Sequence, residues 1–145
     1  MAGFIVLNDG RAWASANWAY DAAIRTIARA LPNTQDGQTL AAWLLEQTSE
    51  VQGMGLGAVD LRELTPQNQT LFIQAVRQAV MALQTQDGND WHDPTAFVSW
   101  REYFEILPQL IESIERGEPA SMFNPHMKEI IPPTGDKCGP GWDTL

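Results

Sequence analysis

Phe97, Trp100, Phe104, Leu107, Ile111 and Ile114 recur at spacings of three, four, three, four and three. Only a helix of 3.6 residues per turn places such a series on one face. The phase runs straight through Pro108, which removes a backbone donor and crowds the carbonyl four residues back. The spacing therefore predicts one helix kinked near Pro108. Asp93-Pro94 starts it with a capping carboxylate and a proline at the first helical position. Gly117 closes it as the left-handed residue just past the end.

Three more helices follow from the same argument. Tyr20, Ile24, Ile27 and Leu31 form one face, with Ser15 as the expected cap and Pro32 as the stop. Leu40, Trp43, Leu44, Gln47 and Val51 form a second face that weakens towards its end, behind Asp36 as the expected cap. Phe72, Val76, Ala79 and Leu83 form a third, widened by Ile73 and Val80 and started by Thr65-Pro66. That third helix is expected to be the most buried, and Asp87-Gly88 to end it.

The N-terminus reads differently. Phe4 to Leu7 is an apolar run, Asn8-Asp9-Gly10 is turn chemistry, and Arg11 to Ala14 follows. A short β-hairpin is the expectation. A hairpin alone is marginal, so it must pack on helices or gain a strand. Residues 58–64, AVDLREL, are the candidate for that strand. Gly53, Gly55 and Gly57 precede it. They follow a helix and have no lysine nearby, so they suit a helix C-cap and turn and not a phosphate loop. The fold class is thus mainly α: a four-helix single domain over residues 1–145. It divides into a hairpin at 1–14, a helical core at 15–117 and a C-terminal strap at 118–145.

The strap is expected because residues 119–145 combine five of the nine prolines with large apolar side chains. Disordered tails lack such groups, and proline lowers the entropy lost on ordering. Ile130, Ile131 and Trp142 are expected to pack on the helices.

Composition narrows the function. Over 145 residues, 18 acidic side chains against 9 basic ones give a net charge of −9. Such a surface repels phosphate backbones and anionic membranes, so neither nucleic acid nor membrane is an expected partner. A basic protein is, since opposite fields steer association. A single cysteine and the lack of a signal-peptide pattern at Met1 to Arg11 suggest a cytoplasmic protein. Six tryptophans are read first as core residues. One or two left exposed would be binding anchors.

Chemistry-bearing residues are few. Residues 87–93, DGNDWHD, hold three carboxylates and His92, but without the alternating ligands and closing glutamate of a calcium loop. Glu102, Glu105 and Glu112 fall on a wet stripe of the following helix. His126 and Cys138 share the C-terminal segment, and His92 could approach them. No spacing there matches a metal site or a nucleophilic motif, so no catalytic residue, metal or cofactor is assigned.

In size, charge and lack of catalytic motifs the chain is similar to bacterial immunity proteins. That similarity spans the whole chain loosely and is carried by no family motif. It implies a non-enzymatic protein that neutralises a toxin, often a basic nuclease, by occluding it. The partner-binding residues expected on this reading are Asp87, Asp90, Trp91, Asp93, Glu102 and Glu105, with Trp91 as the anchor and the carboxylates standing in for substrate phosphates. The alternatives are an adaptor, secretion chaperone or structural protein, and a small enzyme using His126, Cys138 or His92.

Overall fold

The computed structural model describes residues 2–52, 57–89 and 91–118. Strands β1 (Ala2–Val6) and β2 (Ala12–Ala16) form an antiparallel hairpin, and β3 (Ala58–Asp60) adds in parallel on the other side of β1. Parallel neighbours need a long crossover. Here it is supplied by α1 (Asn17–Ala30), α2 (Gln35–Glu46) and the short α3 (Ser49–Gln52). A 3-10 turn, Leu61–Glu63, leads to α4 (Pro66–Leu83), followed by α5 (Pro94–Phe104) and α6 (Ile106–Glu115). The mainly helical class and the small N-terminal sheet are as the sequence predicts.

The sheet owes its register to one buried row. Trp13, Ile5 and Val59 lie side by side across β2, β1 and β3, each with no exposed surface. Period-two alternation sends these side chains to the helices. The hairpin turn closes with Gly10 at φ 92°, and Asp9 accepts a hydrogen bond from the Arg11 backbone N–H.

Two expected caps fall elsewhere. The hairpin runs two residues further than expected, so Ser15 pairs with Gly3 in the sheet and its hydroxyl donates to the Ala16 carbonyl. Helix α1 consequently starts without a side-chain cap. At α2 the cap is Thr34, which accepts from the Gly37 N–H, and Asp36 sits in the first turn. The hydroxyl two residues upstream wins because it reaches that amide, while Asp36 is already helical. Thr65 and Asp93 cap α4 and α5 as expected, accepting from the N–H groups of Asn68 and Thr95.

The long C-terminal helix divides at Glu105, whose backbone stays in the right-handed helical region at φ −63° and ψ −14°. Glu105 forms a turn between α5 and α6, three residues before Pro108. The proline ring clashes with the carbonyl of residue 104, which is where α5 stops. The apolar phase survives: Phe97, Trp100, Phe104, Leu107 and Ile111 are all buried. Beyond α6, Gly117 takes φ 73°; its N–H bonds the Ile114 carbonyl and that of Glu118 bonds the Ser113 carbonyl. This is a Schellman closure.

Helix α1 is more deeply buried than α4: half of its fourteen residues are buried, against five of eighteen in α4. It lies between the sheet, α2 and α4. In its first turn Tyr20 is fully buried, and its hydroxyl donates to the Gln47 carbonyl at 2.9 Å. Gly3 and Gly57 close over this ring; a Cβ on either would lie 2.1 Å from Tyr20 Cγ or 2.4 Å from Cε2. Gly57 is thus required by close approach. Gly53 and Gly55, the expected C-cap and turn, lie outside the described residues, as do the expected strap contacts of Ile130, Ile131 and Trp142.

Candidate functional site

The site grows from the way α5 is pinned. Trp100 Nε1 donates to the Ala19 carbonyl of α1 at 3.0 Å, and Trp13 Nε1 donates to the Tyr103 carbonyl at 3.0 Å. Tyr103 returns a hydrogen bond to the Ala14 carbonyl at 2.6 Å. Arg101 lies 5.4 Å above the Phe97 ring and donates to the carbonyls of Leu83 and Gln86, at the end of α4. A cation there offsets the negative end of the helix dipole and satisfies orphan carbonyls.

Along α5 the rings form a continuous series. Trp13 meets Phe104 edge-on at 6.4 Å, Phe104 stacks on Trp100 at 5.3 Å, and Trp100 meets Trp91 at 5.5 Å. Trp91 also contacts Phe97 at 5.3 Å, and Trp18 at 6.4 Å with a 75° interplanar angle. The series therefore runs from the sheet, where Trp13 is fully buried, to the surface, where Trp18 is 47% exposed. Edge-to-face contacts of this kind add about 0.5–1.5 kcal/mol each beyond burial.

Of the expected partner-binding residues, Asp87 is exposed and folds onto its own loop, accepting from the Asn89 backbone and side-chain amides. Asp90 lies outside the described residues. Trp91 is half-buried at the junction of Trp18, Phe97 and Trp100, so its indole is held by neighbours on three sides. Asp93 is exposed and caps α5 with one oxygen. Glu102 is exposed about 13 Å further along the helix axis, given a rise of about 1.5 Å per residue. Glu105 is half-buried in the turn between α5 and α6. The carboxylates are thus strung along α5 and are not gathered at one point. Glu112 is exposed and lies 3.9 Å from Arg116. His92 is exposed, and His126 and Cys138 lie outside the described residues.

Trp18 was not among the expected anchors, yet a sequence signal for it exists. It sits two positions before Tyr20, about 200° round the helix from the buried face. With Ala22, Arg25 and Arg29 it follows an i, i+4, i+7, i+11 stripe. That stripe borders a cleft of about 330 Å³ between α1, α4 and the start of α5, lined by Ala22, Arg25 and Arg29 among others.

Comparison with protein-family models, with curated proteins and with solved structures finds no match. No helix among the described residues is long and apolar enough to cross a membrane.

Proposed function

We propose that this chain is a non-enzymatic protein-binding protein that covers a basic partner, acting as an immunity-type protein against a basic, nuclease-like toxin. The carrying observation is the indole pair Trp18–Trp91, with Trp18 exposed and Trp91 in a loop segment whose Asp87 and Asp93 are exposed carboxylates. A large aromatic already held by neighbours loses little entropy on binding, and hot spots favour Trp for this reason. The flanking charges supply steering towards a cationic cleft.

The adaptor or chaperone reading calls for a broad apolar patch. Trp18, Leu45, Val51, Met81 and Val98 are the exposed large apolar residues among those described, and they stand one on each of five helices, α1 to α5. That scatter favours occlusion by a focused anchor.

The test is to identify the toxin-like protein encoded beside this chain and titrate the two together. Trp18→Ala with Asp87→Lys and Asp93→Lys is expected to weaken the complex at least a hundredfold, and raising salt to weaken the wild-type complex. Affinity indifferent to both salt and charge reversal overturns the proposal.

A further inference from the structure

We infer that the cleft between α1, α4 and α5 is a binding site for a small organic carboxylate with a flat apolar body. Its volume, about 330 Å³, falls within the range of ligand pockets. Its inner wall is apolar, with Trp91 the half-buried ring at its mouth and Phe97 and Trp100 behind. Its α1 rim carries two cations, Arg25 and Arg29, one helical turn apart. In a chain of net charge −9 this is a local reversal of sign.

The two arginines are not equivalent. Arg25 lies 2.6 Å from Glu50 and is already neutralised. Arg29 is exposed and has no ion-pair partner among the described residues. Its planar guanidinium matches a carboxylate in a two-point fork. Thr26 lies between them in sequence; its hydroxyl donates to the Ala22 carbonyl, so it faces the cleft as an acceptor. Gln86 adds a side-chain amide on the α4 side. A flat ring against the Trp91 edge with its carboxylate on Arg29 satisfies both kinds of wall at once. This inference shares Trp91 with the protein-binding proposal but turns on Arg29, which that proposal does not use, so Arg29→Ala tests the cleft alone and charge reversal at Asp87 and Asp93 tests the other.

The test titrates 2-naphthoate and its neutral amide, 2-naphthamide, into the intact chain and follows amide and indole N–H chemical shifts. Expected are saturable shifts at Ala22, Thr26, Ala82 and the Trp91 and Trp100 indoles, with a dissociation constant on the order of 1 mM or lower. The neutral amide, and Arg29→Ala with the acid, should each bind about tenfold more weakly. Arg29→Lys should recover part of that loss, and Arg25→Ala should matter less. Ala82→Trp, at an exposed wall position, should block the cleft without unfolding the chain. No saturable shift, equal binding of acid and amide, or indifference to Arg29→Ala overturns the inference.

Discussion

Arg11 joins the hairpin turn to the end of α6: its guanidinium donates to the backbone carbonyl of Glu118 and, at 3.3 Å, to the Ser113 hydroxyl. Its Nε lies 2.6 Å from Asp9, close enough for charge attraction, although that N–H is not aimed at the carboxylate. One side chain therefore holds the hairpin turn against the end of α6. Arg11→Ala is expected to cost about 2–3 kcal/mol, because buried hydrogen bonds to a charged donor are lost. Arg11→Lys should recover only part, lacking the fork. Urea unfolding of the three proteins checks this.

Asp93 separates structure from recognition. It caps α5 through Oδ1 and also carries an exposed charge two residues after Trp91. Asp93→Asn keeps the capping oxygen and should unfold within about 0.5 kcal/mol of wild type, whereas Asp93→Ala should lose about 1 kcal/mol. If the proposed function holds, both weaken partner binding. Thermal melts beside binding titrations distinguish the two effects.

Gly3 and Gly57 test the core. Alanine at either position drives a Cβ into the Tyr20 ring. Overpacking costs about 1–3 kcal/mol where neighbours can shift, and here the ring is fixed by its hydrogen bond to Gln47. Each substitution should lower the melting temperature markedly. Trp18→Ala should cost about 1–3 kcal/mol, because half of that side chain already meets water while the rest gives up its burial and its edge contact with Trp91. Calorimetry reads both.

Stability should bend at both ends of the pH scale. Burial first, and the charge of Asp21 second, push the Tyr20 phenol above its usual value of 10.0. The folded state holds that proton more tightly, so stability is whole below about pH 10 and falls as pH rises further. Tyr20→Phe should flatten this alkaline slope, while losing about 1 kcal/mol for the Gln47 hydrogen bond. The acid end has the opposite sign. Arg116 holds the Glu118 carboxyl below its usual range, chiefly through their hydrogen bond, and Arg62 does the same for Asp60. Their contribution is present above the ordinary carboxylate values and is lost as pH falls through the lowered ones. Both are solvent-facing pairs, so the acid slope should shrink in high salt. Denaturation midpoints across pH, with and without salt, check these slopes.

Helical periodicity made most of the fold legible in the sequence. It identified the faces of α1, α4 and the α5–α6 pair because each is set by spacing within a single segment. Residues 58–64 were legible as a candidate strand because a hairpin alone is marginal and can be completed by one. What was illegible was competition between neighbours. Ser15 is a good cap, but the sheet claims it as a pairing residue first. Asp36 is a good cap, but Thr34 already occupies that role. Trp18 and Trp91 carry no local sign that they meet, since 73 residues separate them in sequence and only the docking of α5 on α1 brings them together. The cleft was hidden for the same reason: Arg29 and Trp91 become neighbours only in three dimensions.

The placement of β1 at the middle of its sheet has a consequence for synthesis. Residues 2–6 are synthesised well before residues 58–60, so one flank of β1 waits for β3. The partner of Trp13 Nε1 arrives only with Tyr103, 90 residues later. Until β3 is made, an apolar strand has no permanent neighbour on that edge. The flank of β1 thus stays adhesive until β3 is made, and the Trp13 indole stays unpaired until α5 is.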